Sequence, residues 1–178
     1  MTAQARGETQ LIGVVVEVPP PFEAALHRYR KQFDDPTADL IPAHVTLVRP
    51  LEVPVDSVPA IAAHLRTVAA GVRPFDVHLS GTQTFRPLTP TVYVEIVAGV
   101  AEFTELARLV NSGPLSHTPE FDYRPHVTIA HFVSDHLLDA AASAASDFEA
   151  EFTATELGLY EPGDDGRWVR VLDAPFGG

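Results

Sequence analysis

The chain predicts a bilobal α+β fold, two mixed or antiparallel sheets with flanking helices around a central cleft. Three observations carry this reading. Segments of strand and helix periodicity are interleaved, but not in a strict βαβα alternation. Sixteen prolines punctuate the 178 residues. The phrase His44-Val45-Thr46-Leu47 returns as His126-Val127-Thr128-Ile129, 82 residues later. Each copy is followed by a helical segment and then by paired strands, which points to a weak two-lobe duplication. One domain is expected over residues 10–175, after a polar, flexible segment 1–9.

Leu11–Val18 is an apolar run bounded by Gly and Pro, and reads as a buried strand. Pro19-Pro20-Pro21 ends it and opens a helix, since proline is tolerated in a first turn. Phe22, Ala25, Leu26, Tyr29 and Phe33 recur at helical spacing, and Asp34-Asp35-Pro36 breaks the pattern. Ala43–Val48 is the first motif strand. Ser57 is an expected N-cap for a second helix with Val58, Ile61, Leu65 and Val68 on its inner face, ended by Gly71. Phe75, Val77 and Leu79 alternate with Asp76, His78 and Ser80, a half-exposed strand; Thr91–Val97 is another. Val100–Val110 is helical through Phe103, Leu106, Ala107 and Val110. A loop rich in Gly and Pro spans Asn111–Pro125, and the second motif strand is His126–Val133. Ser134 caps an Ala-rich helix that runs to about Ser146. Phe148–Tyr160 and Trp168–Leu172 read as a closing pair of strands around Pro162-Gly163-Asp164-Asp165-Gly166.

Composition narrows the function. Apolar residues make up 46% of the chain, enough for a core. The polar start MTAQARGETQ lacks the apolar stretch of a signal peptide, and no run approaches a membrane span. Cysteine is absent, which excludes disulfides and thiolate zinc sites. A cytoplasmic, monomeric protein is the expectation. Net charge is −12, and eleven of the twelve positive residues are scattered arginines. From Ser134 to Asp165 there are nine acidic residues and no Lys or Arg, which reads as a solvated face. Long nucleic acid is therefore not an expected partner; a small nucleotide or an RNA end is. No HxH, HExxH, P-loop, GxGxxG or GxSxG pattern occurs, so no metal and no cofactor are expected.

The repeated phrase carries the chemistry. On a strand, side chains alternate faces, so each copy presents His and Thr on one side and two apolar groups on the other. Cleaving a phosphodiester with water needs a base on the attacking oxygen and an acid on the leaving oxygen. Imidazole, with an ordinary pKa near 6.5, serves as either near neutral pH. The threonine hydroxyls can donate to the non-bridging phosphate oxygens. One His-x-Thr is a common accident; two copies with matched apolar positions, each with a proline close upstream (Pro42, Pro125), are not.

The phrases H-V-T-L and H-V-T-I resemble the duplicated signature of the 2H phosphoesterase superfamily, in its bacterial 2′-5′ RNA ligase-like and cyclic phosphodiesterase branch. The resemblance implies a bilobal fold with a pseudo-two-fold axis and metal-independent opening of 2′,3′-cyclic phosphates to 2′-phosphates. It implies that His44 protonates the leaving 3′ oxygen, His126 activates water, and Thr46 and Thr128 hold the phosphate. Two other readings stand beside hydrolysis: a nucleotide or RNA-end binding module without turnover, and 2′-5′ RNA ligation or cleavage of linear 2′-5′ linkages.

Further candidates for substrate contact are Arg49 and Arg124, which flank the motifs, and Phe85 and Tyr123, whose rings could stack a base. Tyr93, in a strong strand, reads as core. His131 is five residues after His126, and strict alternation sends it to the opposite face. His64 lies on a helix among apolar residues, His78 alternates outward from a strand, and His27, His117 and His136 have no chemical context in the sequence.

Overall fold

The computed structural model describes residues 8–118 and 120–178. The elements are β1 (Thr9–Glu17), α1 (Phe22–Gln32), β2 (His44–Pro54), α2 (Val58–Ala70), β3 (Phe75–Thr84), β4 (Thr91–Ala98), α3 (Val100–Val110), β5 (His126–His131), α4 (Asp135–Ala144), β6 (Glu149–Ala154), β7 (Glu156–Pro162) and β8 (Trp168–Pro175). Of the segment 1–9, residues 1–7 lie outside the described residues, and Thr9 is already in β1, paired with Pro54.

The expectation of two sheets, mixed or antiparallel, is corrected. The eight strands form one sheet in the order β6-β3-β4-β5-β2-β1-β7-β8, and each described pairing is antiparallel. The two motif strands, β2 and β5, lie side by side at its centre and meet through one registered pair, Val45 with Val127. Outward from that junction the halves match. The strand preceding each motif strand in the chain (β1 or β4) lies beside it, and two further strands complete each half. The helices are exchanged: α1 leads into β2 but packs on β5, and α3 leads into β5 but packs on β2. The duplication read from the motifs is thus a property of one sheet's two halves.

Phe148–Tyr160, expected as one strand, is two. It breaks at Thr155, after which β7 pairs with β1 and β8, whereas β6 pairs with β3 at the far edge. In a flat sheet those positions would be about six strand spacings, roughly 29 Å, apart. One linking residue cannot span that, so the sheet curls until β6 approaches β7.

Local sequence explains the element ends. Asp34, at φ +56°, turns the chain after α1. Ser134 caps α4, its hydroxyl accepting from the Leu137 amide. Ser57 does not cap α2: a short 3-10 turn, Val55–Ser57, precedes the helix, and the Ser57 hydroxyl donates back to the Pro54 carbonyl. Inner faces follow the pattern expected. Ile61, Leu65, Val77, Leu79, Phe103, Leu106 and Val110 are all buried in a single core that also takes Val45, Leu47, Val127 and Ile129. Val58 and Val68 pack at its margin. The acidic stretch does more than meet solvent: Asp135 and Asp139 on α4 pair with Arg86, at 3.4 and 2.6 Å.

Candidate active site

Strand pleating sets out the site. Val45, Leu47, Val127 and Ile129 point into the core, which turns His44, Thr46, His126 and Thr128 to the other face. Because Val45 opposes Val127 in an antiparallel pair, the register sets His44 opposite Thr128 and Thr46 opposite His126. Directly opposed residues have Cβ atoms about 5 Å apart, and the diagonal pair about 7–8 Å. The two imidazoles hold the diagonal of a four-residue square, with a hydroxyl facing each.

The two rings are held alike. His44 Nδ1 lies 2.7 Å from the Pro42 carbonyl, and His126 Nδ1 lies 2.7 Å from the Arg124 carbonyl. A carbonyl only accepts, so each Nδ1 carries the proton. Each Nε2 makes no hydrogen bond among the described residues, and is the nitrogen left for chemistry. Neutral, it is a base; protonated, it is an acid. The threonine backbone is braced as well, since Tyr123 donates its hydroxyl to the Thr46 carbonyl at 3.0 Å. Burial pushes that phenol's pKa up.

Burial pushes the His44 imidazole down to about 4, against a smaller upward pull from the Pro42 carbonyl. It pushes His126 down too, the Arg124 carbonyl again opposing. The folded protein therefore prefers both rings neutral, whereas the unfolded chain takes up protons from about pH 6.5. The contribution of these rings to stability is complete above that pH and is lost as pH falls through it toward about 4. The urea midpoint is expected to drop over this interval in the native protein, and His44→Gln is expected to flatten the drop. An unaltered slope in that variant would refute the assignment.

A cavity of about 220 Å³ opens beside the square, lined by His44, Thr46, Thr128 and His131. The position of His131 corrects the sequence expectation. In the β4–β5 pairing Thr128 faces Tyr93 and Ala130 faces Val92, so Ile129 is an extra residue in β5. Such a bulge returns His131 to the histidine face. The other motif strand has the same device: Thr46 faces Val15 and Val48 faces Val14, so Leu47 is extra. Alternation counted from the sequence cannot anticipate a bulge, because the partner strand creates it.

The remaining candidates divide. Phe85 stacks on Tyr93, with centroids 4.3 Å apart, and meets the His126 ring edge-on at 4.8 Å. Tyr93 is buried, as expected, yet its ring is also 5.2 Å from His126. Arg124 reaches the Tyr93 hydroxyl at 3.5 Å. Tyr123 is occupied on the Thr46 carbonyl rather than presented for stacking. Arg49 is exposed, 3.8 Å from Glu120, and does not line the cavity. Three of the other histidines are bonded elsewhere: His27 to Asp39, His64 to the Val110 carbonyl and His117 to the Leu115 carbonyl.

The sequence also left a buried pair unnoticed. Arg30 on α1 lines the cavity and bonds Asp35 at 2.9 Å, with both side chains out of solvent. Asp35 lies 3.6 Å from His131. The helical spacing marked α1 as amphipathic, but nothing local says that an arginine turns inward. Among the described residues no group of three or more His, Cys, Asp and Glu could hold a metal ion, and no helix is long and apolar enough to cross a membrane.

The family model described as the 2′-5′ RNA ligase superfamily matches residues 18–166. The chain belongs to the 2′-5′ RNA ligase superfamily. Its sequence relatives include candidate phosphoesterases of Bacillus licheniformis, 31% identical over 69% of this chain and 72% of the relative, and of Halalkalibacterium halodurans, 32% identical over 71% and 74%. Among solved structures, Escherichia coli LigT complexed with NADP+ superposes with a TM-score of 0.70 at 17% identity, covering 96% of this chain and all of LigT. LigT complexed with 3′-AMP gives 0.70 at 16% identity, over 95% and 99%. This superfamily fold, a curled sheet with four helices, thus carries both motif strands at its centre.

Proposed function

We propose that this superfamily member is a metal-independent phosphodiesterase that opens 2′,3′-cyclic phosphates of nucleotides or RNA ends to 2′-phosphates. The observation that carries the proposal is the paired Nδ1–carbonyl clamp, which leaves one free Nε2 at each end of a diagonal wide enough for a phosphate. Water attacks phosphorus as His126 Nε2 takes its proton. The phosphorus–O3′ bond breaks on the opposite side, and His44 Nε2 supplies a proton to the departing oxygen. The products are a 2′-phosphate and a free 3′ hydroxyl. Thr46 and Thr128 donate to the non-bridging oxygens, where charge concentrates. Burial disfavours the charged form of His44; a negative phosphate beside it favours the imidazolium. The acid is therefore armed by substrate.

That LigT has been solved with 3′-AMP and with ATP supports a small nucleotide as ligand on this fold. The negative charge of this chain also favours a short ligand over long RNA. Incubation in EDTA with 2′,3′-cyclic nucleotides, and with a short RNA ending in a cyclic phosphate, tests the reading by mass spectrometry and by phosphate position. A 2′-phosphate product is expected. Binding without product would favour the non-catalytic reading, and a ligated 2′-5′ product the reverse reaction.

A further inference from the structure

We propose that the cavity beside His44 is a nucleoside subsite, in which Trp168 stacks the base and the Tyr160 hydroxyl bonds the base or sugar. This rests on the reading of the site as a cyclic phosphodiesterase, and it orients the substrate there. The inference starts from an asymmetry. The square of His and Thr side chains is nearly two-fold, but its flanks differ. On the His126 side, Phe85 and Tyr93 fill the space against the ring. On the His44 side the space is open, and the cavity runs from His44 and Thr46 toward Gly13, Tyr160 and Trp168.

Three features make this a built site. Tyr160 is 2% exposed, and its hydroxyl has no hydrogen-bond partner among the described residues. A buried, unpaired hydroxyl is costly unless something completes it. Gly13, opposite Tyr160 in the β1–β7 pairing, supplies the room. A Cβ there would come 3.2 Å from the Trp168 ring, so the indole rests on bare backbone. The Trp168 amide donates to the Leu40 carbonyl at 2.7 Å, tying the β7–β8 hairpin to the loop that forms the cavity rim.

The chemistry follows from the placement. In the opening of a 2′,3′-cyclic phosphate the departing O3′ stays bonded to the nucleoside, and water enters from the opposite side. A nucleoside seated beside His44 puts O3′ next to that imidazole and leaves the His126 side for water. The substrate class is then a cyclic phosphate bearing a base, not any small cyclic phosphodiester.

Trp168 is the only tryptophan in the chain, so its emission reports the subsite directly. Titration with 2′-AMP is expected to quench it, whereas inorganic phosphate competes for the site without quenching. Trp168→Ala is expected to lower the preference in kcat/KM for a 2′,3′-cyclic nucleotide over glycerol 1,2-cyclic phosphate by about 5–160-fold, the range for one base–aromatic stack. Tyr160→Phe, which keeps the ring, is expected to lower the same preference. Calorimetric binding of 2′-AMP with unmoved emission, or equal losses on both substrates, would overturn the subsite while leaving the hydrolase reading intact. Absence of both binding and turnover in the native protein would overturn both.

Discussion

Replacing His44 or His126 by alanine is expected to lower kcat on a 2′,3′-cyclic nucleotide by about 10²–10⁴-fold each, the usual contribution of a positioned acid or base. The double variant is expected to lose much less than the product of the single losses, because acid and base act on one displacement. Neither ring fills the core: both stand on the face opposite Val45 and Val127. Melting temperatures at pH 8 should therefore stay near that of the native protein. His126→Ala gives up its contacts with Phe85 and Tyr93, so it is the one expected to show a small loss. Steady-state kinetics with a thermal melt on each variant decides the matter. Full turnover in both single variants would end the two-histidine mechanism, whatever the fold.

The largest effect on stability is expected at Arg30 and Asp35. The Arg30 guanidinium bonds Asp35 Oδ2 at 2.9 Å, the Ile41 carbonyl at 2.7 Å, and the Thr37 carbonyl and hydroxyl at 2.8 and 3.0 Å. Asp35 Oδ1 accepts from the Thr37 amide and hydroxyl. Removing one member leaves a buried charge uncompensated, which costs about 3–5 kcal/mol. In a chain of this size that is a fall in Tm of roughly 6–20 °C. Arg30→Lys should not rescue it, because a single ammonium cannot reproduce the planar fork. An Arg30→Met/Asp35→Leu double variant should be more stable than Asp35→Leu alone. Chemical denaturation of the three proteins measures this, and a loss below about 1 kcal/mol in the single variants would contradict it. The same bonds shape the loop that delivers Pro42, whose carbonyl holds His44. Surviving Arg30 variants should accordingly lose kcat as well as stability.

Much of the site was legible before any coordinate. The period-two pattern of HVTL and HVTI follows from the covalent geometry of a strand and needs no neighbour. It correctly divided His and Thr from Val, Leu and Ile. The Ser134 cap and the inner faces of Ile61–Leu65 and Phe103–Val110 are local in the same sense. Errors came where a distant partner decides. Strict alternation sent His131 to the wrong face because the extra residue at Ile129 exists only relative to β4. Phe148–Tyr160 looked continuous because every residue in it suits a strand, and only the separate pairings with β3 and β1 force the break at Thr155.

The chemical inventory, two imidazoles and two hydroxyls each on one side of a strand, was thus determined by the sequence alone, since backbone stereochemistry sets it residue by residue. That the four converge was decided by the tertiary structure. Hydrogen bonding between β2 and β5 put Val45 opposite Val127, and burial of Tyr160 and Arg30 shaped the space beside His44. Pairing and burial join residues far apart in the chain, and their energies belong to the contact rather than to either residue.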